Sequence, residues 1–183
     1  LKLYYTRNSY PYQVRYLEQS TGNVLHEPKN GSGKYGQMVS ESAIDIEGYD
    51  KVDPTSAAIS IRIETPDDVA RLNVITFYYT EKTVEIKYVP VGPASAQNFG
   101  SVDPTSETVK IKTGTAAGST PTAGDGFKFA GWYKDEACTE PVTGANWIVG
   151  NVIKPQKENG MNIATTYYAK FEYDVADLTI TKE

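Results

Sequence analysis

Phe77-Tyr78-Tyr79-Thr80 is the stretch that decides how this sequence is divided, because it recurs. A close copy, Leu3-Tyr4-Tyr5-Thr6, lies near the first residue, and an altered copy, Thr166-Tyr167-Tyr168-Ala169, lies near the last. The two intervals between the copies differ in length. Since self-similar segments at long intervals indicate repeated units, the sequence predicts two tandem modules of unequal size. Residues 1–9 are then expected to be the last strand of a preceding repeat.

The two modules are expected at residues 10–80 and 81–174 of the 183-residue chain. Their joint falls near 80–83, where one alternating strand follows another almost at once. A linker of a few residues restricts the independent motion of the domains that it joins, so the sequence predicts an end-to-end rod. Residues 175–183 are expected to begin the next module or to form a linker.

Period-two alternation of apolar and polar residues predicts strands in both modules, because successive side chains of a strand point to opposite faces. Val14 and Tyr16 alternate with polar neighbours in the first module. The same pattern occurs three times in the second: at Val84, Ile86 and Tyr88, at Val109 and Ile111, and at Tyr167, Ala169 and Phe171. Fourteen tyrosines against five phenylalanines suit sheet surfaces that are half buried. The predicted fold class is mainly β, within α+β, with little helix.

Helices are expected to be short, and turns are marked by glycine and proline. One candidate helix covers 39–46, and a second covers 66–72, where a threonine N-cap is followed by proline. The stretch 113–126 is rich in Gly, Thr, Ala and Ser and is predicted to be a loop. The echo of residues 52–56 in 102–106, both Val-Asp-Pro-Thr-Ser, is interpreted as recurring turn chemistry.

Charge and hydropathy argue against two kinds of partner. The net charge is −5, with lysine and arginine spread through the strands, so no nucleic acid partner is expected. No apolar run approaches the roughly 20 residues of a membrane-spanning helix. We therefore expect no membrane insertion of this fragment.

The sequence predicts no enzyme, no catalytic residue and no cofactor. His26 is the only histidine and Cys138 the only cysteine, so hydrolytic triads and zinc sites cannot be assembled in the usual way. No Asp or Glu stands in an apolar context that would tune it as an acid or a base. The acidic pairs 67–68 and 135–136 lack the spacing of a calcium loop and are interpreted as solvated edges. No metal ligand is expected.

Aromatic residues are the candidate contact sites. Trp132 and Trp147 with Tyr133 are candidates for a sugar-stacking platform, although a Gly-Trp-Tyr step is also typical of the core of a small sheet. Three tyrosines that are expected to face outward are the better candidates for adhesion: Tyr4, Tyr78 and Tyr168. They are equally suited to cross-strand ladders or to contact between modules.

The first module resembles the mucin-binding-protein type repeats of Gram-positive surface proteins. Four features carry this resemblance: an opening strand, a hairpin, a Gly-Tyr step and a closing strand. They are Tyr12-Gln13-Val14-Arg15-Tyr16-Leu17, Thr21-Gly22-Asn23-Val24-Leu25, Gly48-Tyr49 and Asn73-Val74-Ile75-Thr76-Phe77-Tyr78-Tyr79.

The second module is similar to the internalin B type repeat, also called the Listeria-Bacteroides repeat. Phe127-Lys128-Phe129-Ala130-Gly131-Trp132-Tyr133 precedes Asp135-Glu136-Ala137-Cys138, and Thr165-Thr166-Tyr167-Tyr168-Ala169-Lys170-Phe171-Glu172 closes the module. The loop at 113–126 and the strand pair before it are longer than the family pattern. The tail 177–183 resembles the entry into another surface-protein module.

These resemblances imply a β-grasp-like fold for both modules, with a small sheet and one short helix or helix-like crossing. They also imply a parent protein that is extracellular and either secreted or attached to the cell wall. The implied function is a non-enzymatic stalk or adhesion region, whose partners include neighbouring repeats of the same chain. The alternative is specific binding of mucin or other host glycoprotein glycans, carried mainly by the first module.

Overall fold

The chain is built from β-strands in the computed structural model, which describes residues 1–64, 72–144 and 146–175. These ranges contain fourteen strands and no helix, so the predicted mainly-β class is confirmed. Accordingly, no helix in the described ranges is long and apolar enough to cross a membrane. The chain divides into two compact units, Leu1–Lys82 and Thr83–Glu183. The joint predicted from the sequence lies at 80–83.

The first unit contains six strands: β1 (Ser9–Glu18), β2 (Val24–Lys34), β3 (Met38–Ser42), β4 (Tyr49–Lys51), β5 (Ser56–Ser60) and β6 (Val74–Glu81). Four of them form a sheet in the order β2-β1-β6-β4. The central strands β1 and β6 are parallel, whereas β2 and β4 pair with them in antiparallel fashion. β3 and β5 form a separate antiparallel pair.

The second unit contains eight strands: β7 (Thr83–Val91), β8 (Gly100–Asp103), β9 (Ser106–Lys110), β10 (Thr120–Ala123), β11 (Phe127–Tyr133), β12 (Ile148–Val149), β13 (Val152–Ile153) and β14 (Thr165–Tyr173). Its main sheet has the order β11-β14-β7-β9. The central strands β14 and β7 are parallel, and the flanking pairs are antiparallel. Two short antiparallel pairs, β8 with β10 and β12 with β13, complete the unit.

Both four-stranded sheets arrange their strands in the same way. In each, the first and last strands of the unit are parallel neighbours at the centre. The first strands, β1 and β7, are each flanked by the next strand of the sheet in chain order, β2 and β9. The last strands, β6 and β14, are flanked by the preceding strand of the sheet, β4 and β11. The repetition seen in the sequence therefore has a counterpart in sheet topology.

The parallel registers correct the alignment of the two closing strands by one residue. Phe77 lies beside Tyr16 of β1, and Tyr167 lies beside Tyr88 of β7. All four are buried, so matching these two pairs aligns Phe77 with Tyr167. Tyr79 then corresponds to Ala169, and both are buried, whereas the sequence echo matched Tyr79 with the outward-facing Tyr168. A shift of one residue moves a side chain to the opposite face of a strand. The residues matched by the sequence echo are therefore not structurally equivalent, because they lie on opposite faces of their strands.

One face of each sheet is buried. In the first unit its core side chains are Tyr12, Val14, Tyr16, Ile75, Phe77 and Tyr79, covered by Ala43 and Ile61. In the second unit they are Ile86, Tyr88, Val109, Trp132, Tyr167, Ala169 and Phe171, covered by Val102, Ala116, Val142 and Ile153. The two clusters share no residue, so each unit has a core of its own. Burial of each large apolar side chain contributes about 1.5–3 kcal/mol to the stability of its unit.

The helix predicted at 39–46 is wrong. β3, Met38–Ser42, occupies the start of this segment and pairs with β5 over its whole length. Val39 and Glu41 are half buried while their neighbours are exposed, which is a period of two and favours a strand. The second predicted helix falls mainly on residues 65–71, and the tail on 177–183, and both lie outside the described residues.

Two other predicted segments differ in part from the structure. The stretch 113–126 is not entirely a loop, because β10 lies within it and pairs with β8. Residues 1–8 form no strand and Ser9 is the first residue of β1, so the assignment of 1–9 to a preceding repeat stays a prediction.

The two Asp-Pro bonds of the repeated Val-Asp-Pro-Thr-Ser motif are both cis.

Candidate functional site

Two of the predicted contact residues meet on the outer face of the second unit's sheet. Tyr133 of β11 lies directly opposite Tyr168 of β14 in the antiparallel register. Val89 of β7 lies beside Tyr168 on its other side. These three residues form the outer row of the second unit. The ammonium of Lys170 lies 5.7 Å from the centre of the Tyr133 ring, a cation–π contact that marks one end of the row.

Trp132 does not belong to this row. It is 1% exposed, and its ring packs edge-on against Tyr88 and Phe129, with ring centres 5.9 Å apart in both cases. Its indole N–H donates to the carbonyl oxygen of Asn151 at 2.8 Å. The structure thus places Trp132 in the core, which was one of the two readings of the Gly-Trp-Tyr step.

A β-bulge at Gly131 precedes the core residue Trp132 and the outer-row residue Tyr133 on β11. Phe129 faces Phe171, but Gly131 faces the very next residue of β14, Lys170, so one residue of β11 is left over. Gly131 has φ of +140°, a conformation that other residues rarely adopt. Because of the extra residue, both Phe129 and Trp132 face the core although they are three positions apart.

The first unit carries an outer row on the corresponding two central strands, extended toward the opposite flank of the sheet. Tyr78 of β6 is 44% exposed and lies beside Leu17 of β1. Leu17 in turn lies opposite Val24 of β2, which is also exposed. Val24, Leu17 and Tyr78 form the outer row of the first unit. The remaining candidate, Tyr4, is highly exposed in the strandless segment 1–8.

A half-buried carboxylate ties the β3–β5 pair of the first unit to its sheet. Glu41 of β3 accepts hydrogen bonds from the Tyr12 hydroxyl and from the Lys29 ammonium, each at 2.7 Å. The hydrogen bond from Lys29 lowers the pKa of the Glu41 carboxyl, and the bond to Glu41 raises the pKa of the Tyr12 phenol. Both carboxylate oxygens are therefore occupied, which suits a structural tie.

A second carboxylate has a similar role in the second unit. Glu107 of β9 accepts a hydrogen bond from the Tyr88 hydroxyl at 2.5 Å. It also accepts the backbone N–H groups of Ala117 and Gly118, at 2.7 and 2.9 Å. Burial raises the pKa of the Tyr88 phenol, which stays protonated and able to donate. Glu107 thereby fixes the segment between β9 and β10.

The single histidine and the single cysteine lie in different units and make packing contacts. The His26 ring packs edge-on against Tyr16, with ring centres 5.5 Å apart. Cys138 is half buried, and burial raises the pKa of its thiol, which disfavours the reactive thiolate. No cluster of His, Cys, Asp and Glu suited to a metal ion occurs in the part of the chain that the structure describes.

Sequence reasoning missed a depression in the second unit. It has a volume of about 550 Å³ and is lined by Thr115, Ala116, Asn146, Lys154, Pro155, Gln156, Lys157 and Asn162. A smaller depression beside it shares Pro155, Gln156 and Asn162 and also includes Lys134, Glu158 and Tyr167. The available signal was charge: residues 108–124 and 141–157 contain lysines but no Asp or Glu. We call the larger one the lysine-lined depression.

No family model fits the sequence, and no curated protein matches it. The family assigned to each unit therefore stays a prediction from its motifs. Function is accordingly inferred from the sheets, the outer rows and the lysine-lined depression.

Proposed function

We propose that this chain is a non-enzymatic stalk and adhesion region of a bacterial surface protein, located outside the cell and attached to the cell wall. The observation that carries the proposal is the parallel pairing of first and last strands in each unit. Parallel neighbours run in the same direction. The chain therefore enters each unit at one end of its sheet and leaves at the opposite end.

This pairing suits a segment that carries tension. A pull on the two ends of a unit slides its first strand along its last strand, so the hydrogen bonds between them share the load. Bonds in a hairpin pulled from its open end would instead break one after another. Each parallel ladder aligns six residue pairs, from Gln13–Val74 to Glu18–Tyr79 and from Ile86–Thr165 to Val91–Lys170. A stalk that presents an adhesive domain needs this resistance.

The finer fold and family assignments belong to the same proposal. A four-stranded sheet with parallel first and last strands at its centre supports a β-grasp-like fold for each unit. In the first unit the β3–β5 pair covers the sheet where a helix would be expected. We assign residues 10–80 to a mucin-binding-protein-like repeat and 81–174 to an internalin B type repeat, on the motifs quoted above. Their partners are neighbouring repeats, without nucleic acid, cofactor or membrane insertion.

Single-molecule force spectroscopy tests the stalk proposal. The chain is pulled from its two ends between marker domains, and each unit is expected to give its own unfolding peak. As a control, the first unit is pulled between cysteines placed at Gln19, which is exposed, and Lys82, in a background with Cys138→Ser. These positions follow β1 and β6 at the same end of the sheet, so the ladder opens bond by bond and at a lower force. Equal forces in the two geometries would overturn the proposal.

The second candidate function is binding of host or mucin glycans. The exposed aromatic rings of the two outer rows favour it, because tyrosine rings offer flat apolar faces with a polar edge. Tyr78 occupies the same topological position in the first unit as Tyr168 in the second. Such a repeated display is what multivalent, individually weak contacts require.

A glycan array tests this candidate with matched variants. Tyr78→Ala and Tyr168→Ala are each expected to weaken any array signal by about tenfold, since one ring contributes roughly 1–2 kcal/mol to a stacking contact. Tyr35→Ala is the control, because Tyr35 is 51% exposed but lies outside both rows. A signal that persists in both row variants would exclude the outer rows as the glycan site.

A further inference from the structure

The lysine-lined depression has the size and the chemistry of a ligand site. Its volume of about 550 Å³ falls in the range of roughly 300–1,000 Å³ that small-molecule sites occupy. Its lining includes two ammonium groups, Lys154 and Lys157, and no carboxylate. All of its residues belong to the second unit.

Its positive charge stands out because the chain as a whole carries a net charge of −5. The lining contains two lysines and no acidic residue, while Glu107, bound to the Ala117 N–H, and Glu158, in the smaller depression, lie outside it. In the described part of the chain, no carboxylate pairs with Lys154 or Lys157. A local concentration of cations on an acidic protein attracts an anionic group to that place.

The two ammonium groups are held at the wall of the depression. Lys154 donates to the carbonyl oxygen of Ala117 at 2.5 Å, and Lys157 donates to that of Lys112. An ammonium has three N–H donors, so each lysine keeps donors for a ligand after this bond. Anchoring also means that less side-chain entropy is lost when a ligand binds.

The remaining polar groups offer acceptors for hydroxyl groups. Gln156 donates its amide N–H groups to the carbonyl oxygens of Asn146 and Lys154, at 2.9 and 2.8 Å. Asn162 donates its own to the carbonyl oxygens of Lys110 and Gly114, at 2.7 and 2.9 Å. This bonding orients both amides, and their side-chain oxygens remain as acceptors. Cationic donors beside neutral acceptors match a molecule that carries both an acid group and hydroxyls.

An aromatic ring lies close to this polar lining. Trp147 is half buried next to the lining residue Asn146, and the Lys154 backbone N–H donates to its carbonyl oxygen at 2.6 Å. The Lys134 ammonium lies 5.8 Å from the Trp147 ring centre. The ring itself packs against the core, edge-on to Tyr167 with ring centres 6.0 Å apart. Trp147 also provides a fluorescent reporter close to the depression.

We propose that the lysine-lined depression binds an anionic saccharide, with Lys154 and Lys157 pairing with its carboxylate or sulfate. The Gln156 and Asn162 side-chain oxygens accept hydrogen bonds from its hydroxyls. Glu158 lines the neighbouring smaller depression, so the acid group points away from that side. This inference rests on the second candidate function and adds to the outer rows a glycan site at the edge of the second unit's core. The stalk proposal does not depend on it.

Fluorescence and NMR titration of the full chain tests this site. The probes are a galacturonate oligosaccharide for the carboxylate arm and a sulfated dextran oligosaccharide for the sulfate arm, with an unmodified dextran oligosaccharide as the neutral control. At least one acidic probe is expected to change the Trp147 emission and to shift the backbone amide signals of Asn146 and Gln156. Unmodified dextran is expected to do neither. Binding of unmodified dextran with equal affinity, or of neither acidic probe, would overturn the proposal.

Matched variants separate a site from general attraction between charges. The double variant Lys154→Gln and Lys157→Gln is expected to weaken binding at least tenfold, since two charge-assisted hydrogen bonds are lost. Lys128→Gln is the control, because Lys128 lies on the outer sheet face and pairs with Glu172 at 3.4 Å. An equal loss in the control, or equally tight binding of a short DNA duplex, would show nonspecific attraction and overturn the proposal.

Both lysines also donate to backbone carbonyl oxygens, so their removal can disorder the lining of the depression. Such disorder would weaken binding even if the ligand did not contact the lysines. Lys154→Arg with Lys157→Arg retains the charge and the donors and is expected to keep binding within about threefold of the parent chain. If these arginine variants lose binding while their thermal unfolding midpoint is unchanged, charge and donors are not what the ligand recognises. That result would also overturn the proposal.

Discussion

The two units build the same sheet but cover it with different material. The first is covered by the β3–β5 pair, and the Tyr79 hydroxyl reaches across to donate to the carbonyl oxygen of Ile44 at 3.0 Å. The second is covered by irregular chain and short strand pairs, and the Trp132 N–H reaches across to Asn151. In both, a large aromatic residue of the sheet buries its ring and ties its polar tip to the cover. The same sheet is thus tied in a similar way to two different covers.

The largest expected effect comes from removing the central aromatic residue of one unit. Trp132→Ala is expected to destabilise the second unit by about 3–5 kcal/mol, through the lost burial and the cavity that it leaves. The first unit should be unaffected, since its core is separate. Amide hydrogen exchange at Ile86 and Val14 reports the two units separately. Phe77→Ala is the matched change and should reverse the pattern. Equal loss of protection in both units would show that they unfold together.

A smaller effect is expected from the bulge that only the second unit's sheet carries at this position. Gly131→Ala is expected to cost about 1–3 kcal/mol, because φ of +140° strains any residue with a Cβ. Relief of the strain would shift β11 by one residue against β14 and turn Trp132 outward. Chemical denaturation monitored by tryptophan fluorescence measures the cost. Ala130→Gly is the control at the neighbouring exposed position, and a cost as large there would argue against strain as the cause.

Acid should destabilise the first unit through Glu41, which ties its cover to its sheet. Folding lowers the pKa of Glu41, chiefly through the bond from Lys29, so its carboxylate stabilises the folded first unit above its ordinary pKa of 4.5. This contribution is lost as the pH falls below that value. Glu41→Gln is expected to cost about 1 kcal/mol at pH 7 and to reduce the loss of stability between pH 5 and pH 3. Hydrogen exchange at Val14 against pH measures both, with Asp50→Asn as an exposed control.

Alternation of side chains was sufficient to predict the sheets, because it is a local property. Strands around Val14, Ile86 and Phe171 were found in this way. The covers were not predictable, since their ties join residues far apart: Glu41 meets Tyr12 across 29 positions and Trp132 meets Asn151 across 19. The lysine-lined depression escaped notice for the same reason, because its three lining segments are separated in the chain.

The smallest expected effect concerns the outer rows, where the two units are most alike. Tyr168→Ala removes a half-buried ring that faces away from the core, so its cost should stay below about 1 kcal/mol, close to the worth of a cross-strand pair. Tyr78→Ala in the first unit should cost about as much, since the ring occupies the same topological position beside an aliphatic residue. Thermal unfolding of both variants, with Tyr35→Ala as the control, measures this. If either variant cost as much as Trp132→Ala, its ring would be part of the core, and the outer rows would no longer be surfaces kept for contact.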